Sequence, residues 1–185
     1  YLMNKDNRLR NKFSVAEKLF SEKKTNDSIV IYKEILLENS NFIPALNNLG
    51  AAYEHLDKLE EAEFYYDKCY SMNSIELVFI NNLSNIYFKR KKFIEAIPLL
   101  KKSLAANANQ NTIINRLAIC LFNCNMNDEA IVFCKNHLKK YPDNKFLNHF
   151  LGKNLIKLNN HLEGLKYLKK ATGFIEFDGK KTNII

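Results

Sequence analysis

The chain has 185 residues, 46% of them apolar, enough for a continuous core in one domain. Its 5 Gly and 3 Pro argue against a loop-rich or disordered chain. The net charge of +8 comes without a run of five like charges of the kind that marks a nucleic-acid tail. No stretch of 18 apolar residues occurs, so no membrane span is expected. The 4 Cys do not form the framework of a small secreted domain, and no secretory signal opens the chain, so free thiols in a reducing, cytoplasmic setting are expected.

Taken in order, the chain divides into five segments of one length. Residues 9–42 carry Val15, Ala16, Leu19, Ser28, Tyr32 and Ile35. Residues 43–76 carry Leu46, Leu49, Gly50, Tyr53, Ala62, Tyr66 and Cys69. Residues 77–110 carry Ile80, Leu83, Ser84, Tyr87, Ala96, Leu100 and Ser103. Residues 111–144 carry Ile114, Leu117, Ala118, Leu121, Ala130, Cys134 and His137. Residues 145–178 carry Leu151, Gly152, Leu155, Gly164, Leu168 and Ala171.

Each set of equivalent positions advances by 34 residues, as in Ala62, Ala96 and Ala130. Within a segment the apolar positions recur at helical spacing, which predicts two buried helix stripes. A small residue on each helix lets the pair cross closely, where a bulky side chain would overpack the contact. A helical period of this length predicts stacked helix–turn–helix units. Lys23, Asp57, Lys91, Asn125 and Asn159 fall at the turns between paired helices.

The segment ALNNLGAAYEHLDKLEEAEFYYDKC at 45–69 resembles the tetratricopeptide repeat, and the likeness extends over about nine-tenths of the chain. It implies an all-α, right-handed superhelical solenoid of about five repeats spanning residues 1–178, with first helices lining a concave wall. The inter-repeat Pro of the family is present as Pro142, and the turn Gly is replaced in every repeat. Residues 179–185 are expected to be a tail or a junction to a further domain. The apolar Phe174, Ile175, Phe177, Ile184 and Ile185 do not suit a polar capping helix.

The resemblance also implies which residues face the groove. They include Asn47, Asn48, Asn81, Asn82, Asn115 and Arg116, with Phe20, Glu54, Phe88, Phe122 and Ile156 in a parallel, partly aromatic row and Val78 and Phe146 beside it. A carboxamide both donates and accepts, so an Asn row is able to hold a peptide backbone whatever its side chains. This row is similar to the asparagine ladder of O-linked N-acetylglucosamine transferases. Asn82 and Arg116 also match the dicarboxylate clamp of the family, but Asn47, Ala51 and Thr112 stand where it has Lys, Asn and Lys. The peptide-binding candidates are therefore Asn47, Asn48, Asn81, Asn82, Asn115, Arg116, Phe88 and Phe122.

No phosphate-binding loop and no nucleophile constellation is present, so no enzyme, cofactor or small-molecule substrate is expected. Cys120 with Cys124, and Cys134 with His137, have spacings that a zinc site could use; Cys134 and His137 fall at core positions, and no metal is expected. The run Lys89, Arg90, Lys91, Lys92 sits at a helix end and is read as solvated rather than RNA-binding. The expected function is a protein-interaction scaffold for a partner peptide. The alternatives are the non-catalytic arm of a larger, transferase-like enzyme, which the Tyr1 start and Ile185 end favour, and self-association through the solenoid ends.

Overall fold

The computed structural model describes the backbone of residues 2–173, 176–178 and 181–183, and the side chains of residues 6–173. Among the described residues are ten helices: α1 (Leu2–Ser21), α2 (Thr25–Glu38), α3 (Ile43–His55), α4 (Leu59–Met72), α5 (Leu77–Lys89), α6 (Phe93–Ala106), α7 (Asn111–Asn123), α8 (Asn127–Lys140), α9 (Lys145–Lys157) and α10 (His161–Thr172). Two short strands follow, β1 (Glu176–Asp178) and β2 (Lys181–Asn183), paired antiparallel with Phe177 opposite Thr182. The side chains of Phe174, Ile175, Phe177, Ile184 and Ile185 lie outside the described residues.

The helices fall into two compact units, Tyr1–Lys92 with α1–α5 and Phe93–Ile185 with α6–α10. Consecutive helices pack against each other within each unit. Small residues make this possible. Ala16, Ser28, Gly50 and Ala62 are buried in the first unit, and Ala118, Ala130, Gly152 and Gly164 in the second. A Cβ built on Gly50 would stand 2.8 Å from the Tyr66 ring, so glycine there is what lets α4 lay its tyrosine across α3.

The aliphatic position next to the small residue is buried as Leu49, Leu83, Leu117 and Leu151. Val15, its equivalent in the first segment, is instead 53% exposed. The second unit's core gathers Ile114, Ala118, Cys134 and Leu138 against Leu147, Leu151 and Leu155.

The turns explain the missing glycines. Lys23, Asp57, Lys91, Asn125 and Asn159 all adopt left-handed φ, between 56° and 62°. The next residue's N–H reaches back to the last helical turn each time, as in Lys24 N to Leu19 O at 2.9 Å and Lys92 N to Tyr87 O at 2.8 Å. This double-bonded helix ending satisfies carbonyls that the helix leaves open. The turn geometry is thus kept although its usual residue is absent.

Candidate functional site

Positions on the first helices place the candidates in two groups, one in each unit. In the first unit α3 carries Asn47 and Asn48, and α5 carries Asn81, Asn82 and Phe88; all five are half-buried. Asn82 Nδ2 donates to Asn47 Oδ1 at 2.9 Å. Asn47 Nδ2 donates to Asn48 Oδ1 at 3.4 Å, and Asn48 Nδ2 donates to the Tyr32 hydroxyl at 3.3 Å and to Glu17 Oε1 at 3.4 Å. The amides therefore form a relay from one first helix to the next. A carboxamide in such a relay keeps spare donors and lone pairs, so it is able to bind a ligand while also tying repeats together.

A second polar cluster lies one to two turns further along these helices. Glu54 Oε1 accepts from Asn85 Nδ2 at 2.6 Å and from Lys89 Nζ at 2.8 Å. Glu54 Oε2 accepts from the Tyr66 hydroxyl at 3.1 Å, and burial with that carboxylate beside it raises the Tyr66 phenol far above its ordinary range. The basic run at the end of α5 is drawn into ion pairs in the same way. Lys89 pairs with Glu54, Arg90 with Glu60 and Glu63, and Lys92 with Glu63.

In the second unit α7 carries Asn115, Arg116 and Phe122, again half-buried. The Asn115 Oδ1 is buried without a hydrogen-bond partner among the described residues. Phe122 packs edge-on against Phe150 of α9 with centroids 5.5 Å apart, and Phe146 lies 4.8 Å from Phe150. Two lysines of α9 flank the Phe122 ring, Lys157 at 3.7 Å and Lys153 at 5.7 Å from its centroid. The second unit's wall is thus aromatic and cationic, where the first unit's wall is amidic and internally neutralised.

Asn85, Lys153 and Lys157 are not among the candidates the sequence offers, and Lys89 is named there only within a solvated basic run. They occupy the ninth and thirteenth positions of their repeats. Both positions belong to the groove-facing set that the family resemblance implies, so reading them out would have found all four. The cysteine pairs look different in space. Cys69, Cys120 and Cys134 are buried thiols, Cys124 is partly exposed, and all four are free. Burial pushes Cys69 to about 11 and Cys120 and Cys134 to about 12. His137 directs Nδ1 to the Phe133 carbonyl at 3.0 Å. No cluster of three or more potential metal ligands occurs among the described residues.

Two family profiles for the tetratricopeptide repeat match the chain, one over residues 43–75 and one over 77–107. The chain carries tetratricopeptide repeats. Solved structures of such repeats superpose on most of its length. MamA from MSR-1 gives a TM-score of 0.77 at 20% identity, covering 90% of this chain and 95% of its own. MamA from AMB-1 gives 0.79 at 20%, covering 91% and 92%. YrrB, a tetratricopeptide-repeat protein with an unusual peptide-binding site, gives 0.79 at 20%, covering 88% and 84%. At this identity the likeness establishes the fold, the all-α repeat solenoid. No curated protein matches the chain in sequence. No helix among the described residues is long and apolar enough to cross a membrane.

Proposed function

We propose that these repeats form a protein-interaction scaffold, whose first-helix walls hold a segment of a partner protein. The observation that carries this reading is the row of half-buried amides and aromatics at equivalent positions of successive first helices. Such groups are accessible enough to meet a ligand and are held in place by their neighbours. The repeat fold supports binding rather than any one chemistry. YrrB, a tetratricopeptide-repeat protein with a peptide-binding site, lends the same support by analogy.

The amides Asn47, Asn48, Asn81 and Asn82 would meet a peptide backbone, and Phe122 with Phe150 its apolar side chains. Asn115 and Arg116 would add an acceptor and a cation on the second unit. Panning the purified chain against a displayed peptide library tests this. The selected peptides are then titrated against Asn81→Ala/Asn82→Ala and Phe122→Ala/Phe150→Ala variants. Binding should weaken about tenfold or more in at least one pair, as expected when contacts worth about 1.4 kcal/mol are removed. Unchanged affinity in both pairs would sink the scaffold-wall reading. Asn82 also ties two helices together, so its variant should lose about 0.5–1.5 kcal/mol of stability, and titrations belong well below its melting temperature.

A further inference from the structure

Equivalent slots in the two units hold opposite chemistry. In the first unit, Asn85 and Lys89 of α5 converge on the Glu54 carboxylate of α3. In the second unit, the equivalent residues of α9 are Lys153 and Lys157, and the residue they converge on is Phe122 of α7. The carboxylate that neutralises the first slot is missing from the second, and the cation count rises from one to two. Lys157 donates to the Phe122 carbonyl at 3.3 Å and to Asn125 Oδ1 at 3.0 Å, both uncharged acceptors. Neither lysine joins an ion pair among the described residues; the unit's pairs there are Lys101–Glu129 and Lys135–Glu163.

Lys153 and Lys157 line a cleft, together with His161. Its volume is about 550 Å³, and Phe122, Ile156 and Leu165 supply its apolar lining. That is a common size for a side-chain or small-ligand pocket. A ring under a lysine attracts the cation through its π-face but leaves the net charge in place. An apolar cleft beside two such charges suits a group that is apolar at one end and anionic at the other.

We propose that this cleft binds a partner-protein segment in which a large apolar side chain lies within one or two residues of a carboxylate. The apolar side chain enters between Phe122, Ile156 and Leu165, and the carboxylate meets Lys153 and Lys157. The proposal rests on the scaffold reading above and assigns it a ligand class. The site is separate from Asn82 and Arg116, the positions that match the dicarboxylate clamp. The carboxylate is the side chain of an Asp or Glu.

Fluorescence anisotropy with the full chain tests it. The probe is a fluorescein-labelled peptide with a Gly-Ser-Asp-Leu-Phe-Asp sequence, used with an amidated and with a free C-terminus. Controls replace both Asp by Lys, or Leu-Phe by Ser-Ser. The acidic apolar probe should bind, each control should bind at least tenfold more weakly, and affinity should fall with salt. The amidated and free-acid forms should bind alike; a free-acid form that binds tenfold tighter would assign the charge to a chain terminus and overturn the side-chain carboxylate.

Lys153→Gln/Lys157→Gln should weaken the probe about tenfold or more at a temperature where the variant is still fully folded, and Lys153→Gln alone, which removes no hydrogen bond between helices, should weaken it in the same direction. Phe122→Glu recreates the first unit's carboxylate and should abolish binding while Lys153 and Lys157 remain. Equal binding of the Asp and Lys probes, or full affinity in the double Gln variant, overturns the proposal. If library peptides still lose affinity in the Asn81→Ala/Asn82→Ala variant, the scaffold reading survives that failure; if no peptide binds at all, both fall. Concentration-dependent light scattering that the probe does not compete with, and that Phe122→Glu removes, would assign the cleft to a second copy and overturn the peptide.

Discussion

Lys23, Asp57, Lys91, Asn125 and Asn159 share a left-handed backbone that a side chain normally resists. For an ordinary residue this conformation costs about 1–2 kcal/mol, while glycine's extra unfolded-state freedom costs about 0.5–1 kcal/mol. The first figure is larger, so Lys23→Gly and Lys91→Gly should each stabilise the chain, by roughly 1 kcal/mol. Asn tolerates the left-handed region better, so Asn125→Gly should gain less. Urea midpoints of the three variants check this, and a lowered midpoint for Lys91→Gly would refute it. The cysteines give a second residue-scale expectation. Burial raises all four thiols, but Cys69, Cys120 and Cys134 are fully buried whereas Cys124 is partly exposed. The thiolate is the reactive form, so a disulfide reagent at pH 8 should label Cys124 first in the native chain. The other three should react only once urea opens the fold; mass mapping that finds Cys134 labelled as fast as Cys124 would contradict the burial.

Helix pairs depend on how closely two backbones approach. At the crossing of α9 and α10, a Cβ on Gly152 would lie 2.8 Å from the Gly164 carbonyl and 2.7 Å from Leu168 Cγ. Helix propensity alone favours Ala over Gly by about 1 kcal/mol. Overpacking a tight contact costs about 1–3 kcal/mol, and here the obstacle includes backbone, which has little room to move. Gly152→Ala should therefore destabilise the chain despite its better propensity, and a higher melting temperature would show that the crossing yields. This crossing was legible in the sequence because Gly152 and Gly164 repeat the small positions of the earlier segments. Helix pairing follows from periodicity because each small residue reports a backbone contact. The site was less legible. Asn47, Asn82 and Phe122 could be placed on the wall, but the relay between Asn82 and Asn47 depends on the offset between successive helices. The same holds for the way Lys153 and Lys157 straddle a ring that stands where Glu54 stands in the first unit. These pairings are not encoded in the repeat itself; they come from which neighbour is present.

At the scale of the whole chain, the packing is sequential. Within each unit a helix contacts the helices next to it in order, with α1 also touching α3 and α7 touching α9. Stability in such an array is close to a sum of repeat terms and nearest-neighbour terms, so damage at one place propagates weakly. A fold held by distant contacts would instead lose protection everywhere at once. Hydrogen exchange on the Gly152→Ala variant separates these cases. Amides of α9 and α10 should exchange faster by about the factor that 1–3 kcal/mol implies, roughly 5- to 150-fold at their opening-limited sites. Amides of α1–α4 should keep their wild-type rates, because no term in their own neighbourhood has changed. Acceleration of α3 amides to the same degree as α9 amides would mean that the chain opens as one cooperative body, and that the wall residues of both units are ordered or lost together. Local loss confined to α9 and α10 would instead leave the Asn82–Asn47 relay intact while loosening Lys153 and Lys157, so one substitution would impair the cationic cleft and spare the amide wall.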